Sequence, residues 1–226
     1  IMLVAMVRPN TVDSNGIAMN RQTRRLMKSA SKHKSSHLGE AALASVDVTM
    51  QGALALHRTG EFAEALERYN DVLGLYPDHP NALSNSGLII SRLGDHDSAL
   101  CRLRRAIELA PEKAEFHNNL GLALDAVGLL SEAEVSLGRA IQMNSDLAEA
   151  RVNLGNVYQK LGKYDDAAAH YRQALNLAPD NAVTYNNLGN ALQAAGNSDA
   201  AMASYQTAIE LMPGFAEVLN NIGILY

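Results

Sequence analysis

The sequence has no tryptophan, only three phenylalanines and a single cysteine among its 226 residues. A lone Cys101 excludes an internal disulfide and points to a reducing, cytoplasmic compartment. With 47% hydrophobic residues and so few large rings, the core must come from Ala, Leu, Ile, Val and Tyr. That palette suits closely packed helices. No apolar run approaches the roughly 20 residues a membrane-spanning helix requires. The opening IMLVAMV is too short to span, and it lacks the order of a signal peptide. The chain therefore reads as soluble and non-secreted, with no membrane span.

Recognisable chemistry is also missing. There is no glycine-rich phosphate loop and no nucleophile elbow. His33, His37, His57, His79, His96, His117 and His170 are scattered, without the spacing of metal ligands on one helix face. Cys101 reads as a small packing residue rather than a reactive thiol. No catalytic residue, cofactor or metal is expected.

Charge is unevenly placed. Residues 1–45 hold Arg8, Arg21, Arg24, Arg25, Lys28, Lys32 and Lys34 against Asp13 and Glu40, leaving 12 basic and 22 acidic groups for the remainder. An acidic body repels phosphate backbones, which argues against nucleic acid as a ligand of that region. The stretch RQTRRLMKSASKHKSSHLG is basic and Ser-rich, so residues 1–45 are expected to be disordered.

What is present is a repeat. Gly60, Gly94, Gly128, Gly162 and Gly196 share one constant spacing, and five positions after each stands Ala65, Ala99, Ala133, Ala167 or Ala201. Pro77, Pro111, Ser145, Pro179 and Pro213 keep the same period, as do Ala53, Gly87, Gly121, Gly155, Gly189 and Gly223. Each unit carries two helical stripes. Leu154, Val157, Tyr158 and Leu161 mark one face of a first helix, and Ala167, Tyr171, Ala174, Leu175 and Ala178 mark a second. Pro179 stops that second helix. Asp97, Ser131, Asp165 and Asp199 fall where second helices start, favouring caps and the helix dipole. Small residues such as Gly155 and Ala167 let paired helices approach closely.

The run Leu154-Gly155-x-x-Tyr158, then Ala167-x-x-x-Tyr171-x-x-Ala174 and Pro179, resembles the tetratricopeptide repeat. The resemblance implies an all-α, right-handed superhelical solenoid of antiparallel helix pairs. Its units fall at 46–79, 80–113, 114–147, 148–181 and 182–215, with a partial sixth at 216–226. The first departs most, with Gly52-Ala53 for Leu-Gly and Val72 for Ala. The segment MNRQTRR from Met19 resembles the opening of bacterial members, which leaves Ile1 and Met19 both open as the true start.

Asparagines sit in the first helices, against their helix propensity. Asn85, Asn119, Asn153, Asn187 and Asn221 keep the period of the repeat; Asn118, Asn186 and Asn220 precede three of them, and Asn156 and Asn190 follow two of them by one helical turn. The resemblance implies that first helices line a concave groove. These ten amides would then form a ladder gripping the backbone of an extended peptide or partner segment. That ladder resembles the repeat region of O-linked N-acetylglucosamine transferases. Two alternatives stand: the amides bond to neighbouring helices, or the chain is the non-catalytic part of such a glycosyltransferase. The Lys/Arg clamp of chaperone-binding members is absent, because Met50, Ser84, Asn118, Val152, Asn186 and Asn220 occupy its position. Finally, FAEVLNNIGILY is apolar around much of its surface, through Val218, Leu219, Ile222, Ile224, Leu225 and Tyr226. An uncovered solenoid end of this kind is expected to self-associate or to continue into further sequence.

Overall fold

A computed structural model describes the backbone of residues 45–225 and side chains as far as Gly223. The expected disordered segment 1–45 lies outside this range except for Ser45, which is helical. Contacts divide the chain into units 1–51 and 52–226. Of the first, only residues 45–51 are described; they are helical, and Thr49 Oγ1 donates to the Ser45 carbonyl at 2.8 Å.

Among the described residues every element is a helix. After α1 (45–59) come α2 (Phe62–Leu75), α3 (Pro80–Arg92), α4 (His96–Leu109), α5 (Ala114–Ala126) and α6 (Leu130–Met143). They are followed by α7 (Ala148–Lys160), α8 (Tyr164–Leu177), α9 (Ala182–Ala194), α10 (Ser198–Leu211) and α11 (Ala216–Leu225). From α3 onward the odd-numbered helices start at one constant interval, where the sequence register places the units. Within each pair a glycine turns the chain, from Gly60 at φ +85° to Gly196 at φ +82°. That left-handed conformation is cheap only for glycine.

Caps are placed less regularly than the sequence suggests. Asp95 accepts from Ser98 N and Asn197 from Ala200 N, so these two residues cap α4 and α10. Asp97, Ser131, Asp165 and Asp199 sit one residue inside their helices, where the three aspartates favour the helix dipole and none of the four supplies the cap. The start of α9 is capped by Asn181 through Thr184 N, and that of α3 by His79 Nδ1 through Ala82 N.

Packing follows the chain order. Each odd helix from α3 to α9 pairs with the even helix after it and rests on the one before it. The odd helices α3, α5, α7 and α9 also touch one another in sequence, whereas the even helices make no comparable contact. A stack that closes on one side and opens on the other must curve, which puts the odd helices on the inner, concave side. The result is an all-α solenoid.

Ala65, Ala99, Ala133, Ala167 and Ala201 are fully buried in the pair interfaces. The glycine at the eighth position of α3, α5, α7 and α9 receives a large side chain from the partner helix. A Cβ on Gly155 would lie 2.6 Å from the Tyr171 ring, and one on Gly121 would lie 2.5 Å from Leu137. Two sequence readings need correction. Cys101 is exposed, because the buried stripe of α4 is Ala99, Leu103 and Ala106, and Cys101 falls on another face. Leu161 is also exposed, since it lies past the end of α7 at its C-cap. At α11, Val218 is buried and Leu219 is 52% exposed; the side chains of Ile224, Leu225 and Tyr226 lie outside the described residues. No described helix is long and apolar enough to cross a membrane.

Candidate functional site

The periodic asparagines are the sixth residues of the odd helices. From Asn119 onward their side chains reach back to the preceding odd helix. Asn119 Nδ2 donates to Ser84 Oγ at 3.0 Å, and Asn153 Nδ2 to Asn118 Oδ1 at 2.9 Å. Asn187 Nδ2 donates to Asn156 Oδ1 at 3.3 Å, and Asn221 Nδ2 to Asn186 Oδ1 and Asn190 Oδ1, both at 3.0 Å. Asn186 in turn donates to Glu217 Oε1 at 2.9 Å. The amides thus stitch each inner helix to the next, as one of the two sequence alternatives holds. A hydrogen bond is worth about 1 kcal/mol net, which offsets the modest helix-propensity cost of asparagine.

Burial then sorts the ten residues. Asn118, Asn153 and Asn186 are buried between helices, at 3%, 9% and 1% exposure. Asn85, Asn119, Asn156, Asn187, Asn190 and Asn221 are half-buried, and Asn220 is exposed. Asn85 is the exception to the stitch. It lies beside Tyr69, whose buried Oη is left without a well-formed hydrogen bond. Burial pushes the Tyr69 hydroxyl up to about 12, against weaker opposing pulls from Asn85 and Arg58.

Four residues that sequence reasoning did not assign to the groove complete the site. Tyr171 crosses the Gly155 slot so that Oη donates to Asn156 Oδ1 at 2.7 Å and lies 3.0 Å from Gln159 Oε1. One unit later Tyr205 crosses the Gly189 slot to Asn190 Oδ1 at 2.7 Å and Gln193 Oε1 at 2.9 Å. The sequence carries their signal as a triple of Asn, Gln and Tyr that recurs with the repeat, at Asn156, Gln159 and Tyr171 and again at Asn190, Gln193 and Tyr205. Burial, and then the nearby carboxylate of Asp125 or Glu217, raises the pKa of Tyr171 and Tyr205 respectively, so both hydroxyls keep their protons.

Between α5, α7 and α9 lies an open cavity of about 330 Å³, lined by Asp125, Asn156, Gln159, Lys160 and Asn187. Lys160 Nζ contacts both Asp125 oxygens, at 2.7 and 2.8 Å, which neutralises the one carboxylate facing it. The lining is polar, with no nucleophile–base pair. No group of His, Cys, Asp and Glu able to hold a metal occurs among the described residues.

Comparison with known proteins places this architecture. The tetratricopeptide repeat family matches residues 48–112 and 146–214 through one profile, and residues 91–149 through a second. The chain belongs to the tetratricopeptide repeat (TPR) family. Among solved structures, MamA is 26% identical over 76% of this chain and 94% of its own, with a TM-score of 0.60. TTC0263, a TPR protein of Thermus thermophilus, is 24% identical over 80% of this chain and 98% of its own, with a TM-score of 0.69. YrrB, described as a TPR protein with an unusual peptide-binding site, is 22% identical over 77% and 90%, with a TM-score of 0.61. No curated protein matches the sequence at comparable significance. TPR units stack into extended concave surfaces, and in this TPR array the concave surface is the one the amides occupy.

Proposed function

We propose that this TPR protein is an interaction scaffold, without catalysis of its own, that holds an extended peptide or partner segment along the inner face of α5, α7, α9 and α11. The observation that carries the reading is the open polar cavity ringed by Asn156, Gln159, Lys160 and Asn187. A carboxamide offers donors and acceptors to a main chain whatever its side chains, which suits a groove that recognises conformation before sequence. The acidic Glu115, Glu149 and Glu217 at the second positions of α5, α7 and α11 favour neutral or basic segments. The peptide-binding site described for YrrB is consistent with this use of the fold. The test is to select binders from a random peptide library against the full chain and map them by amide chemical shifts. Shifts concentrated on α7 and α9, and at least tenfold weaker binding by Gln159→Ala with Asn187→Ala, support the reading. Shifts confined to the even helices overturn it.

A further inference from the structure

Two rungs of the ladder take the same pair of donors, a tyrosine hydroxyl and the next unit's asparagine. Asn156 Oδ1 takes Tyr171 Oη at 2.7 Å and Asn187 Nδ2 at 3.3 Å. One unit on, Asn190 Oδ1 takes Tyr205 Oη at 2.7 Å and Asn221 Nδ2 at 3.0 Å. A hydroxyl has one proton, and in each case the asparagine oxygen is nearer than the glutamine oxygen beside it. A carboxamide oxygen has two lone pairs, and here both are taken by the protein. Neither amide can turn over by itself, because exchanging O for N would set its N–H2 against the N–H2 of Asn187 or Asn221; Asn221 is held in turn by Asn186, which donates to Glu217 Oε1. In this arrangement the outward offer of each rung is its N–H2 alone.

We propose that Asn156 and Asn190 are donor-only rungs, which recognise a bound segment through its main-chain carbonyl oxygens and make no demand on its N–H groups. This rests on the groove reading above and narrows it. The ligand class is an extended polypeptide in which tertiary amides, such as those preceding proline, are accepted at these two positions. Proline has no backbone N–H to offer, and a polyproline II segment leaves all its carbonyls unpaired. A bidentate rung, taking a C=O and an N–H together, would reject such residues. The tyrosines set the polarity: without their hydroxyls one lone pair on each asparagine would be free to accept.

The test uses a neutral peptide selected on the full chain, resynthesised in two scans. One replaces each peptide N–H by N-methyl, which removes the donor and keeps the carbonyl. The other replaces each amide by an (E)-alkene, which removes both. At the two positions over Asn156 and Asn190, N-methylation is expected to change Kd less than twofold, and the alkene to weaken it at least tenfold. Asn156→Asp keeps the oxygen that Tyr171 and Asn187 bind but has no N–H2, and is expected to weaken the peptide tenfold with an unchanged melting temperature. The side-chain N–H2 resonances of Asn156 and Asn190 in the parent protein are expected to shift on binding. If the peptide occupies the inner face but every informative N-methylation costs as much as its alkene, or those N–H2 signals stay still, this inference falls and the groove reading survives. If the peptide lies elsewhere on the molecule, both fall together.

Discussion

The units built on α3–α6 and those built on α7–α10 share a backbone and differ in the side chain that fills the glycine slot. In the former, Leu103 and Leu137 fill the slots left by Gly87 and Gly121; in the latter, Tyr171 and Tyr205 fill those of Gly155 and Gly189. A leucine ends in the slot and contributes packing alone. A tyrosine passes through it, so that one side chain both closes the core and holds the amides of the inner face. The lesson is that a single position ties stability to the surface in one half of the array and leaves them independent in the other. The first unit is a third case. Tyr69 has the ring without the amide pair, since Leu54 and His57 stand where Asn and Gln stand for Tyr171, and His57 meets the ring edge-on at 6.3 Å.

The comparison is sharpened most by alkali. A phenol whose folded pKa is raised stabilises the fold fully below the unfolded value near 10 and loses that contribution as pH climbs toward the folded value. For the fully buried Tyr69, pushed up to about 12, the loss by pH 12 is about 2 kcal/mol. Urea midpoints are expected to hold to pH 10 and then fall, with phenolate absorbance of the buried tyrosines appearing only as the array opens. Next in size is Gly155→Ala, whose Cβ meets a rigid ring at 2.6 Å and is expected to cost about 1–2 kcal/mol by thermal melting. Gly138→Ala, with nothing within 4 Å, is expected instead to gain up to about 1 kcal/mol from helix propensity. Tyr171→Phe breaks the link to Asn156 and is expected to cost about 1 kcal/mol. Tyr69→Phe, which removes a buried hydroxyl that has no well-formed hydrogen bond, is expected to leave stability level or raise it by up to about 1 kcal/mol. Equal losses from the two Tyr→Phe changes would dissolve the contrast.

The unit boundaries were legible because they depend on local signals. Glycines that must turn left and prolines that stop helices recur once per unit, and the odd helices begin at Ala114, Ala148, Ala182 and Ala216 as the register requires. The groove was legible as a set of residue types and not as a wiring diagram. Asn187 and Asn153 are equivalent in sequence, yet one bonds to a residue 31 positions back and the other 35. That choice depends on the local residue set: Asn118 stands before Asn119, while Val152 stands before Asn153 and leaves Asn187 only Asn156 to reach. The face of Cys101 was less legible for a related reason: α4 already carries Ala99 and Ala106, so one more small residue says little about which face is buried.

The pairing of each slot glycine with a side chain on the very next helix also bears on how the chain reaches its native state. Each such contact closes a short loop around one left-handed glycine turn, and the stitches that follow join only neighbouring units. Few contacts in unit 52–226 require distant parts of the chain to meet, so its contact order is low and its refolding is expected on the fast side for its length. Any one hairpin suffices as a nucleus, and structure then spreads in either direction, adding one hairpin at a time.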